Sequence, residues 1–309
     1  MEGKIAVLIP CYNEALTIKK VIEDYRDAFP TADIYVYDNN STDDTAIIAK
    51  EAGAIVRYEY KQGKGNVIKS MFQDIDADCY IMTDGDDTYP PKKEMADLIL
   101  EGKADMVIGD RLSSTYYSEN TRPFHNFGNK LVLSLINRIF HIDIHDIMTG
   151  SRAFSYPFVK TFPVISEGFE IETEMTIHSA INRIKMAEIP VEYRDRPEGS
   201  ESKLNTISDG LKVLKTITRL FKEERPQSFY SKIAILFWLV GILMGIPVFL
   251  EYLHTGLVPR FPTLIVAGML IIIGLIFYIA GTILETIKRK ERQQFELAWI
   301  RTKNERLKE

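Results

Sequence analysis

The sequence predicts an α/β domain, a mostly parallel sheet with helices on both faces, followed by a hairpin of two transmembrane helices. Three observations predict it. Short apolar runs alternate with helix-length segments between residues 5 and 108, the pattern of a parallel sheet with helical crossovers. Two long stretches near the other end, residues 233–250 and 261–284, carry no charge. The charge itself is divided: residues 1–211 hold 23 Lys/Arg and 35 Asp/Glu, and the remainder holds 15 and 8. At 309 residues the chain suits one large domain with an appendage. The net charge of −5 argues against a nucleic-acid binder. Two cysteines, Cys11 and Cys79, exclude a disulfide framework and suit a reducing compartment.

The elements follow in order. Residues 5–9 (IAVLI) read as a buried strand and 15–28 as a helix. Residues 34–37 form a second strand, then 42–52 a helix opened by the cap-like Ser41. Residues 55–58 are a third strand, 66–73 a helix, 80–83 a fourth strand, 92–101 a helix, and 106–108 a fifth strand. Ligands of such sheets bind beyond the carboxyl ends of the strands. Three polar clusters fall there: Asn13-Glu14, Asp38-Asn39-Asn40, and Asp84-Gly85-Asp86-Asp87.

The uncharged stretches of 18 and 24 residues reach roughly 27 and 36 Å as helices, against a hydrocarbon core of about 30 Å. Pro247 predicts a kink in the first. Ten residues, 251–260, join the spans and force an antiparallel pair. Lys222, Arg225 and Lys232 precede the hairpin, and Lys288, Arg289, Lys290 and Arg292 follow it. By the positive-inside rule both flanks, both termini and the large domain are cytoplasmic, at a multi-pass cell membrane protein. No signal peptide precedes the first strand. Leu204, Ile207, Leu211, Leu214, Ile217 and Phe221 recur at helical spacing, with Lys212, Lys215, Arg219 and Lys222 on other faces. That stretch reads as an interfacial helix on anionic headgroups, or as a helix packed on its own domain. The expected organisation is a catalytic domain over 1–203, a juxtamembrane helix over 204–228, a hairpin over 229–285 (about 231–253 and 261–285), and a cytoplasmic tail over 286–309.

The DGDD run places three acids in four residues. Their repulsion is relieved by a divalent cation, and Mg2+ or Mn2+ takes one or two carboxylates with phosphate oxygens and water. A solvated acidic turn is the bland alternative. No His/Cys spacing suits zinc, and neither a GxxxxGK[ST] loop nor a strand-following GxGxxG is present. The Gly-Lys turn QGKG at 62–65 is by itself weak support for phosphate contact.

IPCYNEALTI (9–18), VYDNNSTDDT (36–45), QGKGNV (62–67) and DGDDTYPP (84–91) follow in order. This set resembles family 2 glycosyltransferases of GT-A fold, in the branch of polyprenyl-phosphate sugar synthases such as dolichol-phosphate mannose synthase and undecaprenyl-phosphate glucosyl or N-acetylglucosaminyl transferases. GDR (109–111), Arg122 with FGN (127–129), DIMTGSRAF (146–154), GFEIETE (168–174) and RPEGSESKLN (196–205) fit the same branch. The likeness covers roughly residues 4–225.

The resemblance implies roles. Pro10, Tyr12, Glu14 and Asp38 would hold the nucleotide base and ribose, with Lys64 nearby. Asp84 and Asp86 match the Asp-x-Asp pair that meets the metal, Mg2+ or Mn2+, and the donor diphosphate. Arg111, Arg122 and Asn129 would bind the acceptor phosphate. Glu172 would line the sugar pocket, and Arg196, Ser202 and Lys203 would close over the donor phosphates. Relatives in the mannose branch often carry Gln two residues after the second Asp. Thr88 stands there, after Asp87, so the third metal ligand is left open among Asp87, Thr88 and water.

The implied reaction is transfer of a sugar from a nucleotide sugar, UDP-glucose or UDP-N-acetylglucosamine foremost, to a polyprenyl phosphate such as undecaprenyl phosphate, for cell-envelope glycans. An ionised phosphate acceptor needs no general base, so catalysis rests on positioning and charge. Direct displacement inverts the anomeric carbon. A processive polysaccharide synthase is disfavoured because no QxxRW motif is present. A transferase acting on a soluble or protein acceptor would need no hairpin, and a non-catalytic membrane scaffold predicts no donor hydrolysis and no metal dependence. Self-association is left open.

Overall fold

The computed structural model describes residues 3–113, 133, 134, 136–138, 143–197, 215, 218, 219 and 221–306. It divides into two units, Met1–Thr216 with Phe295–Glu309, and Ile217–Gln294.

In the first unit the described elements are β1 (Ile5–Cys11), α1 (Ile18–Ala28), β2 (Asp33–Asp38), α2 (Thr45–Glu51), β3 (Ile55–Tyr58), α3 (Lys64–Asp74), β4 (Cys79–Met82), α4 (Lys93–Leu100), β5 (Met106–Asp110), β6 (Arg152–Ser155), α5 (Tyr156–Thr161), α6 (Ile171–Ile181) and β7 (Met186–Pro190). The strands form one sheet in the order β3-β2-β1-β4-β6-β5-β7. Every pairing is parallel except those of β6, which runs against both β4 and β5. The sheet is therefore mostly parallel, as the alternation predicts.

Pleating sends successive side chains to opposite faces, and each face meets its own helices. Val7, Ile9, Val36, Ile81 and Val107 join Ile18, Val21, Ile22 and Tyr25 of α1 and Met95 and Ile99 of α4 in one buried cluster. On the other face Phe154 of β6 meets Phe72 of α3 edge-on and stacks on Phe158 of α5 at 4.8 Å. Each such fully buried side chain contributes about 1.5–3 kcal/mol.

Two starts differ from the sequence expectation. α1 begins at Ile18, because residues 14–17 form a turn in which the Thr17 and Ile18 amides donate to the Glu14 carbonyl. α2 begins at Thr45, with Asp44 at its cap position. Ser41 instead receives the Asn13 N–H on its hydroxyl at 2.9 Å. That bond joins the loops after β1 and β2, which is why Ser41 lies outside the helix.

The second unit holds α7 (Pro226–Thr255) and most of α8 (Phe261–Arg306). Both are long and apolar enough to cross a membrane. α7 is continuous through Pro247. The helices run antiparallel: Trp238 Nε1 donates to the Ile271 carbonyl at 3.1 Å, and Gly241, Gly274 and Gly281 lie against Ala267, Ala234 and Tyr230 in turn. A Cβ at Gly274 would stand 2.5 Å from the Trp238 ring. Small residues at such contacts let helix backbones approach closely. The expected interfacial helix over 204–221 lies almost wholly outside the described residues.

Candidate active site

The carboxyl ends of β1, β2, β4 and β5 share one edge of the sheet. Because β6 is antiparallel, its first residue comes to that edge as well, with Arg152 opposite Met82 and Ile108. The segment 146–151 before β6 is thereby delivered to the same place.

Asp38, the last residue of β2, is buried. Its Oδ2 accepts from the Ser41 N–H at 3.1 Å, while Oδ1 has no hydrogen-bond partner among the described residues. A buried acceptor left without a donor costs about 1–3 kcal/mol, so this oxygen is poised for a ligand N–H or O–H. Glu14 is nearly buried, with its amide donating to Thr45 Oγ1 at 2.8 Å. Tyr12 is 38% exposed, and Pro10 is half-buried in β1. Asn39 binds the third loop to this end: its side-chain amide donates to the Glu59 and Lys61 carbonyls, and its oxygen accepts from the Gly63 N–H at 2.7 Å.

Lys64, in the first turn of α3, points its ammonium between Asp84 at 2.5 Å and Glu172 at 2.6 Å. Its Nζ also lies 5.8 Å from the centre of the Phe169 ring. Burial alone would push the Lys64 ammonium down, but the two carboxylates hold it well above the usual lysine range. Glu172 is pushed up by burial, against the pull of Lys64.

The DGDD loop is tied down on both sides. Thr17 Oγ1 donates to the Gly85 carbonyl at 2.6 Å, and a Cβ on Gly85 would stand 2.8 Å from Cys11 Sγ. Asp86 is buried; its Oδ1 accepts from Thr88 Oγ1 at 2.6 Å and its Oδ2 meets the Arg196 guanidinium. Burial and neighbouring Asp84 raise the Asp86 carboxyl, with Arg196 and Thr88 opposing. Asp87, at φ 60°, turns away and pairs with Lys20 at 2.7 Å and Arg194 at 3.3 Å. No group of three or more His, Cys, Asp or Glu suited to a metal converges among the described residues. Asp84 and Asp86 nonetheless offer the two hard oxygen donors that Mg2+ or Mn2+ accepts when diphosphate and water complete its shell.

Arg111 follows β5. Its Nε meets Asp146 at 2.9 Å, and Nη1 donates to the Tyr89 hydroxyl at 3.1 Å. Asp146 is buried, which raises its carboxyl, with Arg111 opposing. The charge of Arg111 thus stands beside a carboxylate of its own domain. Arg122, Asn129, Ser202 and Lys203 lie outside the described residues.

Sequence reasoning passed over three groups at this edge. Asp146 is the partner of Arg111. Arg152, fully buried, donates to the Ile147 carbonyl at 2.6 Å, the Thr149 carbonyl at 3.1 Å and Thr176 Oγ1 at 2.9 Å. Burial pushes its guanidinium down to about 10, so it remains charged at neutral pH. It fixes the 147–149 backbone, and the next residue, Gly150, leaves room beside Asp84 that a Cβ would fill. Glu174 is buried on α6, two residues after Glu172. The signal available for all three was the charged residues within DIMTGSRAF and GFEIETE.

The family model of glycosyl transferase family 2 matches residues 6–162. The chain belongs to that family. Within it, glycosyltransferase AglJ of Haloferax volcanii is 32% identical over 296 residues, spanning 94% of this chain and 96% of that protein. The dolichyl-phosphate hexose transferase of the same organism is 31% identical over 224 residues, spanning 72% of this chain and 95% of that protein. Among solved structures, glucosyl-3-phosphoglycerate synthase of Mycobacterium tuberculosis in complex with Mn2+ and UDP-glucose superposes with a TM-score of 0.53 at 21% identity, covering 70% of this chain and 79% of that one. The likeness in structure is one of fold, and the fold is GT-A. The protein is a glycosyltransferase of the kind that includes polyprenyl-phosphate sugar transferases.

Proposed function

We propose that this glycosyltransferase moves a hexose or N-acetylhexosamine from a UDP-sugar to a polyprenyl phosphate, undecaprenyl phosphate foremost, at the cytoplasmic face of the cell membrane, with inversion. The observation that carries the lipid acceptor is the surface of α7 and α8. Ile235, Leu239, Leu243, Ile272, Ile276 and Ile279 are among many large apolar side chains exposed there. Apolar surface on this scale marks a membrane or a partner, and basic residues flank it on the sides assigned to the cytoplasm. A water-soluble acceptor gives the chain no use for such a surface.

At the donor end, Asp38 Oδ1 would accept from the nucleotide, with Pro10, Tyr12 and Glu14 around it. Lys64 would stand beside the diphosphate, steadied by Asp84 and Glu172. Asp84 and Asp86 would hold Mg2+ or Mn2+, which when bound neutralises charge on the departing diphosphate. Arg196, already against Asp86, would meet the same phosphates, with Ser202 and Lys203 following it in the chain. Arg111, Arg122 and Asn129 would hold the acceptor phosphate in line, and Glu172 would face the sugar.

The test is direct. Detergent-purified protein is incubated with undecaprenyl phosphate, Mg2+ or Mn2+ and a panel of nucleotide sugars, and the lipid is weighed by mass spectrometry. One added hexose or N-acetylhexosamine on the lipid is expected. Transfer to water-soluble acceptors only, or with no donor in the panel, overturns the reading.

A further inference from the structure

The aim of the Lys64 ammonium depends on the backbone that carries it, and that backbone is braced from outside. The Gly65 N–H donates to the Glu167 carbonyl at 2.9 Å. A Cβ on Gly63 would collide with the Glu167 carbonyl oxygen, and one on Gly65 with that of Ser166. The turn before α3 thus lies directly on the 165–167 segment. Lys61 adds an ion pair to Glu167 at 2.6 Å, exposed and of little weight.

The bracing segment has no regular structure of its own; it is gripped from α6. The Ile165 N–H donates to Glu174 Oε1 at 3.1 Å, and the Ser166 N–H to Oε2 at 2.7 Å. Glu174 is 4% exposed. A carboxylate is costly to bury unless such charge-assisted bonds are kept. Glu172, two residues earlier on the same helix, takes the Lys64 ammonium. One helix therefore holds both ends of the lysine: Glu172 its charge, Glu174 the brace under its backbone.

We propose that Glu174 is a positioning residue that sets Lys64 in the site by fixing the 165–167 brace against Gly63 and Gly65. The consequence for donor binding rests on the proposed role of Lys64 beside the diphosphate. The positioning itself does not, and the two are separable by experiment. Glu174→Gln keeps the size of the side chain but turns an amide toward one of the two N–H donors. Gly65→Ala attacks the brace from the opposite side and leaves α6 intact.

The first measurement is Lys64 accessibility in the full chain in detergent, read as reductive methylation per lysine by mass spectrometry. Lys64 is expected to be protected in the wild type. In Glu174→Gln and in Gly65→Ala it should label about tenfold faster, with Lys19 and Lys50 unchanged. If Lys64 stays protected in folded Glu174→Gln, or in Gly65→Ala where the first variant does not fold, the proposal is overturned. A rise at all lysines together signals general loosening and overturns it as well. The second measurement is UDP affinity in the presence of Mn2+ for Lys64→Ala, for Glu174→Gln and for the pair. Glu174 acting through Lys64 predicts that the double variant binds no more weakly than Lys64→Ala alone. Multiplied losses would sink the proposal. Unchanged affinity in Lys64→Ala would instead remove Lys64 from the donor site, leaving the labelling result to decide the role of Glu174.

Discussion

Asp86 is where chemistry and folding separate at the level of one side chain. Its contacts are to Thr88, two residues away, and to Arg196, so the core does not lean on it. Asp86→Ala should lower transfer by about 10²–10³-fold, the scale for losing one group that stabilises developing charge. The melting temperature should move by only a few degrees, since the repulsion from Asp84 is relieved as the Thr88 bonds are lost. Transfer near the wild-type rate in the presence of EDTA would overturn the metal reading. A second residue carries a pH signature. The hydrogen bond and charge of Glu188, 2.9 Å from Nδ1, raise the His145 imidazole above its ordinary value. A raised imidazole stabilises the fold below its ordinary value of about 6.5, and that contribution fades as pH rises through the shifted one. The melting difference between wild type and Glu188→Gln should therefore shrink from pH 6 to pH 8; a difference that grows contradicts the assignment. Asp84 and Asp86 were legible because their density is local. The Arg111–Asp146 pair spans 35 positions and depends on β6 running backwards, which no local pattern announces.

Elements were legible where apolar runs and helix spacing alternate, and five strands through Ile108 were found on that signal. β6, β7, α5 and α6 were not. Arg152 opens β6, which has only two apolar residues, Ala153 and Phe154, and Glu172 and Glu174 sit at buried positions of α6. β6 and α6 look polar in sequence because their charges are buried against partners that only the fold brings near. The hairpin was legible by length alone, but its register was not; that rests on Gly241, Gly274 and Gly281. Gly274→Val forces side-chain volume into the Trp238 ring, and overpacking of this kind costs about 1–3 kcal/mol. The variant should melt earlier in detergent while its affinity for UDP stays at the wild-type value. Equal stability would mean that α7 and α8 do not meet at Gly274.

For the whole molecule, the end of the chain alters what truncation should do. Phe295–Glu309 groups with the sheet-bearing unit. There Phe295 meets His178 of α6 edge-on at 5.1 Å, and His178 meets Phe162 at 5.0 Å. Arg306 pairs with Asp78 at 2.8 Å and covers the Tyr156 ring at 4.9 Å. A cut after Arg225 removes the apolar helices and this clasp together. The ion pair is partly exposed and worth about 0–1 kcal/mol, and the cation–π contact adds about 0.5–1 kcal/mol. The truncated domain should therefore fold and bind UDP, with a melting temperature lowered by several degrees. Arg306→Ala in the full chain should reproduce part of that drop. Transfer to long-chain polyprenyl phosphate should fall steeply in the truncated form, because enzyme and lipid no longer share a surface and local concentration is lost. Transfer to a short, water-soluble polyprenyl phosphate should fall far less, since Asp38, Lys64, Asp84, Asp86 and Arg111 all precede the cut. Equal use of long-chain lipid by both forms would show that the apolar helices do not serve to bring enzyme and acceptor together. Orientation is checked separately by a reporter fused to Glu309, which should resist protease added outside intact cells. Cleavage there would place the C-terminus, and with it the unit that its last residues join, on the side where cytosolic nucleotide sugar is not available.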